Sequence, residues 1–265
     1  MSAEVHSSSE ANSPRMHLLT KGADLLGIPL AEHQIDLFQT YAEELVDWNR
    51  KVNLTAITGY EDIQTKHFVD SLTCFLAFPG VARRDHPPLI GSIPPLAGIR
   101  VIDVGTGGGF PGLPLKIARP EISLTLLDSV AKKTRFLEHV VQKLGLTWVD
   151  VVTGRAEEIA RDPLHRERYD VVVSRAVAEL ATLMEYCLPL AKIGGRAIAL
   201  KKGALEEELR TGQKAINLLG GRFGEMIPVE LPGLLELRYA ITAEKVAPTP
   251  ASYPRRPGVP AKKPL

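Results

Sequence analysis

The chain has 265 residues, of which 45% are hydrophobic, 24% charged and 6% aromatic. That balance excludes fibrous and mainly disordered classes and suffices for one large α/β domain or two small ones. Its 32 basic and 31 acidic side chains leave a net charge of +1, so no whole-molecule field draws it to an acidic partner and any nucleic-acid surface has to be a local patch.

The charge is unevenly spread. Residues 1–70 carry 5 basic and 11 acidic side chains, against 27 and 20 in the remainder, which places the cationic surplus in the later part of the chain. Cys74 and Cys187 are too few and too isolated for a disulfide framework or a Cys-based metal cluster. No apolar run approaches the roughly 18 residues of a membrane span, and the first residues contain no apolar signal core. A cytoplasmic protein without membrane contact or bound metal is expected.

In chain order, residues 1–15 are Ser-rich and poor in large apolar side chains, a composition that does not offset the entropy of ordering, and they read as a flexible extension. From Leu30 the pattern turns helical: Ile35, Phe38, Ala42 and Leu45 recur at the spacing of one helix face. Thr58 and Glu61 have the spacing of a capping box, opening a second helix that carries His67, Phe68 and Leu72. Residues 16–82 form a helical N-terminal segment, and the prolines at 87, 88, 94 and 95 make residues 83–98 a loop.

Residues 99–247 change character. Short β-rich stretches at 100–104, 123–127, 148–153, 169–174 and 196–200 alternate with helical patterns at 131–144 and 176–190, which predicts a mostly parallel, doubly wound α/β sheet. After a further helix at 204–219, the stretches around 226–230 and 235–246 have no helix between them and predict an antiparallel hairpin that closes the sheet. Residues 248–265 contain six prolines and four basic residues with no acid, an extended basic tail.

The strongest chemical signal lies at Val101 to Gly112, where an apolar strand runs into glycines and then a helix. Glycines permit the sharp turn and let a ligand approach the backbone, a nucleotide-site geometry. Gly107, Gly109 and Gly112 satisfy the dinucleotide spacing. Asp103, still on the strand, would repel a pyrophosphate yet suit a cationic ligand such as S-adenosylmethionine. Asp128 ends the next strand, where a carboxylate accepts ribose hydroxyls for either cofactor. Ala156 and Glu157 follow the third strand, where their backbone groups would read an adenine edge. Arg175 ends the fourth strand, and Lys201 with Lys202 ends the fifth, two ammonium groups suited to phosphate. The seven histidines lack zinc-site spacing, and no covalent nucleophile motif is present.

These residues resemble the bacterial 16S ribosomal RNA methyltransferase G family, also called glucose-inhibited division protein B. The resemblance rests on Asn53 to Thr58, His67 to Leu72, Asp103 to Gly112, Leu127 to Ser129, Arg155 to Glu158, Ser174 to Ala176, Leu200 with Lys201, and the closing Tyr253 to Leu265. It covers residues 18–265; the extension before residue 16 and the loop at 83–98 are longer than usual for the family.

The resemblance implies a class I S-adenosylmethionine-dependent methyltransferase fold and methyl transfer to N7 of one guanine in the decoding region of 16S rRNA. It implies cofactor contacts at Gly105, Phe110, Ala156, Glu157 and Arg175, beside the Asp103, Gly107 and Asp128 read from the strand ends. Guanine N7 carries a lone pair and no proton, so no general base is needed and no catalytic residue is assigned. A Lys or Arg donor would identify guanine through O6, with Lys201 and Arg175 as candidates. RNA contact is expected from Lys201 and Lys202 on the rim and from Arg255, Arg256, Lys262 and Lys263 of the tail. Asn53, His67 and Asp70 either line the target cleft or fill helix-cap and core roles. The partner is 16S rRNA or the small ribosomal subunit, and a monomer is expected. Two other readings stay open on the residues alone, a small-molecule methyltransferase using the same cofactor and an NAD-binding oxidoreductase or regulator.

Overall fold

Short runs rich in apolar and β-branched residues form the seven strands of the sheet on which everything else is placed. In the computed structural model, which describes residues 15–175, 177–203, 205–231 and 236–265, these strands are β1 (Arg100–Val104), β2 (Ser123–Asp128), β3 (Val149–Thr153), β4 (Tyr169–Arg175), β5 (Ala191–Lys202), β6 (Gly221–Val229) and β7 (Arg238–Lys245). Their order is β3-β2-β1-β4-β5-β7-β6. The first five pair in parallel and β7 joins β5 and β6 antiparallel, the doubly wound sheet with a closing hairpin that the sequence predicts.

The side-chain period of two assigns each strand residue to a layer. Val101, Leu126, Val171, Val173 and Ile198 enter one buried cluster, while Ile102, Val104, Leu127, Val172 and Ala197 enter the other. The first is covered by α1 (His17–Leu26), α2 (Glu32–Asn49), α3 (Gly112–Ala118) and α4 (Ala131–Lys143). The second is covered by α6 (Leu180–Cys187) and α7 (Glu206–Leu218), with the short α5 (Ala156–Ile159) and α8 (Val259–Lys262) at its edge. Both faces of the central strands are therefore dry, as parallel strands require.

The N-terminal helices dock on this sheet through one apolar stripe. Phe38, Tyr41, Ala42 and Leu45 of α2 are buried. The amide nitrogen of buried Gln34 donates to the Ile117 carbonyl at 2.7 Å, satisfying a carbonyl at the end of α3 that no later turn of the helix can reach. Between Tyr60 and Ala77 the chain is helical but irregular: α at Tyr60–Asp62, π at Ile63–Val69, α at Asp70–Leu72 and 3-10 at Thr73–Ala77.

Several boundaries differ from expectation. The helix after Thr58 starts at Tyr60 with Gly59 as its cap and no side-chain cap bond, so the capping box does not form. α1 lies ahead of the first predicted helix; Gly22 interrupts its apolar pattern and Gly27 caps its end. The loop at 83–98 contributes Ile90–Ser92 to a two-stranded antiparallel pair with Ala82–Arg83. β5 and β6 begin five residues earlier than predicted, at Ala191 and Gly221, and α6 begins only at Leu180. Residues 1–14 of the extension expected at 1–15, together with Ala176, Ala204 and residues 232–235, lie outside the described residues. The Pro-rich end is not an extended tail: its carbonyls are taken by Arg161 and Arg166, and it ends in α8.

Packing between α2 and the glycine turn leaves no room at Gly109. Its φ is +101°, and a Cβ there would lie 2.5 Å from both Leu113 Cδ1 and Tyr41 Oη. Gly109→Ala should destabilise the fold by roughly 2–4 kcal/mol, from backbone strain and overpacking together. Urea unfolding would report this as a lower midpoint at unchanged m-value; a shift below about 0.5 kcal/mol would contradict the packing described.

Candidate functional site

The glycine turn after β1 is held from below and from the side. Asp103 shares the face of Val101 and is fully buried beneath the turn. Its Oδ2 accepts from the Thr106 hydroxyl at 2.6 Å and from the Gly112 amide at 2.7 Å, while Oδ1 has no partner among the described residues. Burial raises its carboxyl to about 7 against the lowering effect of these two bonds. Asp103 thus fastens the turn to the start of α3 from inside; its carboxylate is not an exposed counter-charge on the cavity wall, because its strand register turns it into the core.

From the side, the amides of Gly105 and Thr106 both donate to the Leu127 carbonyl, at 2.8 and 3.1 Å. Gly105, at φ +71°, adopts a conformation that L side chains rarely take. Asp128 Oδ2 accepts from the Gly107 amide and Oδ1 from the Val130 amide, each at 2.9 Å. Each carboxylate oxygen retains a further acceptor site.

Two cavities lie side by side along the carboxyl ends of the strands, divided at the end of β4, next to the point where strand order reverses. The first, of about 260 Å³, lies over β3, β2 and β1 and is lined by Gly105, Asp128, Ala156, Glu157, Val177, Tyr186 and Ala261. The second, of about 570 Å³, lies over β4, β5 and β7, and its polar and charged lining is Lys66, His67, Asp70, Arg175, Lys201, Lys202, Glu236 and Arg238. A larger cavity of about 630 Å³, lined by Thr20, Asp24, Pro87 and Pro88, touches none of these motifs.

The first cavity suits a nucleoside. Asp128 can accept from a diol, and the amides of Ala156 and Glu157, the first two of α5, have no intrahelical acceptor and remain available as donors. The Glu157 carboxylate does not face this role: its Oε1 accepts from the Gly258 amide at 2.8 Å.

The second cavity is organised by Arg175. Its Nη1 donates to Asp70 Oδ2 at 2.8 Å and to the Lys66 carbonyl at 3.1 Å, and Nη2 lies 3.0 Å from His67 Nδ1. Because guanidinium only donates, Nδ1 must accept, and the His67 proton sits on Nε2, 2.8 Å from the Thr55 hydroxyl. The His67 ring stacks on Phe110 with centroids 4.2 Å apart, and the Arg175 guanidinium lies 5.0 Å from the same Phe110 ring. Burial first, and Arg175 second, hold the imidazole neutral with its pKa lowered to about 3. Asp70 takes a second guanidinium on its other oxygen, Arg238 Nη1 at 2.8 Å.

The structure therefore places Arg175 and His67 in one cavity and Gly105, Asp128 and Ala156 in its neighbour. Gly107 and Phe110 belong to the turn between them, and Asn53 is exposed on a loop. Lys201 donates to the Ala178 carbonyl at 2.7 Å and pairs with Glu208, so its ammonium is already engaged. Lys202 meets Glu236 at 2.9 Å on the exposed rim. Arg255 does not serve as a free cation for RNA: its Nε and Nη2 both donate to the buried Glu185 carboxylate. Arg256 is exposed. Arg238 and Tyr41, whose hydroxyl donates to the Gly108 carbonyl at 2.5 Å, carry no local signal in the sequence; both act through contacts more than 60 residues away, which no local pattern encodes.

A seven-stranded doubly wound sheet with a C-terminal antiparallel hairpin, a glycine turn after β1 and an acidic residue ending β2 define the class I methyltransferase fold. The family model described as GidB, rRNA small subunit methyltransferase G, matches residues 34–229, and the chain belongs to this family. A relative from Dehalococcoides mccartyi (strain ATCC BAA-2100 / JCM 16839 / KCTC 5957 / BAV1) is 48% identical over 250 residues, spanning 94% of this chain and 100% of its own length. One from Roseiflexus castenholzii (strain DSM 13941 / HLO8) is 50% identical over 250 residues, with the same coverage of 94% and 100%. Both carry the name ribosomal RNA small subunit methyltransferase G. Among the described residues, no cluster of His, Cys, Asp or Glu is placed to hold a metal, and no helix is long and apolar enough to cross a membrane.

The two displaced titrations act in opposite directions. His67 is neutral when folded but protonates near 6.5 when unfolded, so its contribution to stability is present above about 6.5 and is lost as pH falls toward about 3. Asp103, raised to about 7, makes the fold less stable as pH climbs from about 4 to 7. The unfolding free energy of the native chain minus that of His67→Gln should rise with pH between 4 and 6 by up to about 1.4 kcal/mol per unit. A difference independent of pH, measured by urea titration, would rule out a neutral buried His67.

Proposed function

We propose that this chain transfers a methyl group from S-adenosylmethionine to N7 of a specific guanine in the decoding region of 16S rRNA, within the small ribosomal subunit or its RNA. Membership of the family supports action on small-subunit rRNA. The observation that carries the finer reading is the Arg175 cavity beside the nucleoside cavity.

Gly105, Asp128 and the amides of Ala156 and Glu157 would hold the nucleoside part of S-adenosylmethionine, which when bound supplies an electrophilic methyl on a sulfonium. The neighbouring cavity brings Lys66, Arg175, Lys201, Lys202 and Arg238 against two carboxylates, Asp70 and Glu236, a cationic surplus suited to a nucleotide and its phosphates. Arg175 spends three N–H groups on Asp70, Lys66 and His67. Its Nε–H and one Nη2 hydrogen remain to donate to guanine O6. Lys201 is less free, since Glu208 and Ala178 hold its ammonium.

The residues at this boundary suit a reaction without a general base. His67 is neutral and its acceptor nitrogen is occupied by Arg175. Guanine N7 has no proton to remove, so the chain's task is alignment, and fixed geometry of this kind is worth up to about 7 to 11 kcal/mol in favourable systems.

Tritium transfer from methyl-labelled S-adenosylmethionine to small subunits lacking the modification, followed by borohydride and aniline cleavage, should reveal one N7-methylguanosine. No incorporation despite measured cofactor binding would overturn the rRNA reading. Arg175→Lys keeps the charge but loses the branched donor set, and should lower the transfer rate by roughly 10²–10³; an unchanged rate would remove Arg175 from the target site.

A further inference from the structure

The C-terminal residues 249–262 have the composition of a linker, yet they are anchored along their whole length. Proline nitrogens donate nothing and the run has little secondary structure of its own, so its carbonyls need outside donors. Arg166 supplies them to Thr249 and Tyr253, at 2.8 and 2.9 Å, and Arg161 to Ser252 and Pro254, both at 2.9 Å. Further on, Glu185 accepts from the Arg255 amide at 2.7 Å and from its guanidinium at 2.9 and 2.6 Å. The Gly258 amide then donates to Glu157, and the Pro260 carbonyl accepts from Thr182 at 3.1 Å.

Glu185 is 0% exposed. If the segment lifted away, this buried carboxylate would lose both the amide and the guanidinium of Arg255, which is strongly unfavourable. The docked position is therefore the resting one, and it brings Ala261 onto the wall of the nucleoside cavity, together with Tyr186 and Glu157.

We propose that this C-terminal segment is a fixed wall of the cofactor cavity, with Ala261 limiting the space for the nucleoside and the Glu185–Arg255 pair as the positioning contact. The proposal rests on the reading that S-adenosylmethionine occupies this cavity. It gives Arg255 a role toward the cofactor in place of the RNA contact expected of a free basic tail.

The test is calorimetric titration of the full chain with S-adenosylhomocysteine. Ala261 is itself solvent-exposed, so Ala261→Phe should fold normally while narrowing the cavity, and should raise Kd at least tenfold with an unchanged melting temperature. Independently, saturating S-adenosylhomocysteine should slow amide exchange across residues 258–262 of the unmodified chain. Equal affinity in Ala261→Phe, or no change in exchange in that segment, would overturn the proposal while leaving the cofactor reading intact. Failure of the unmodified chain to bind S-adenosylhomocysteine would overturn the cofactor reading, and the proposal with it.

Discussion

The guanidinium of Arg175 ties the N-terminal helical segment to the sheet at the site itself. It leaves the end of β4, deep in the sheet, and reaches three groups of the N-terminal helical segment: Asp70, His67 and the Lys66 carbonyl. Asp70 in turn holds Arg238 from the closing hairpin. A side chain 14% exposed and a carboxylate 6% exposed are costly to bury singly; removing Asp70 leaves two guanidinium groups uncompensated, whereas removing Arg175 leaves Asp70 paired with Arg238 alone. The helical segment is consequently part of the site, since the cavity beside β4 has no outer wall without His67 and Asp70.

A second constraint lies beneath the glycine turn. Asp103 is carried inward by the register of β1, and its Oδ2 fixes Thr106 and Gly112 at once. Gly112 is needed at that position because a Cβ would lie 2.9 Å from this oxygen. The same burial that raises the Asp103 carboxyl removes it from the reactive surface. The site is thus neutral at His67 and structural at Asp103, with positive charge concentrated on the guanidinium and ammonium groups of the second cavity.

Much of this was legible in the sequence. The strands stand out because short β-rich apolar runs bounded by turns and separated by helical patterns have few other uses, and the glycine turn stands out because consecutive glycines are unfavourable inside regular elements. Gly105, Asp128 and Ala156 could be placed at strand ends for that reason. Three things were not legible. The inward direction of Asp103 depends on register, the pairing of Asp70 with Arg238 joins residues 168 apart, and the π-helical winding around His67 has no compositional mark. The Pro-rich end misleads most, because its partners Arg161, Arg166 and Glu185 lie at least 70 residues upstream and proline with basic residues reads locally as a solvated tail.

On the proposed function, neighbouring regions of one sheet edge do separate work: a nucleoside over β1 to β3, bounded by the docked C-terminal segment, and a nucleotide of the target over β4, β5 and β7. The two regions divide at the end of β4. A crystal structure of the full chain with S-adenosylhomocysteine tests this division most directly. The nucleoside should lie against Gly105, Asp128 and Ala156 with the C-terminal segment in place; a nucleoside seated against His67 and Lys201, or a displaced C-terminal segment, would contradict it.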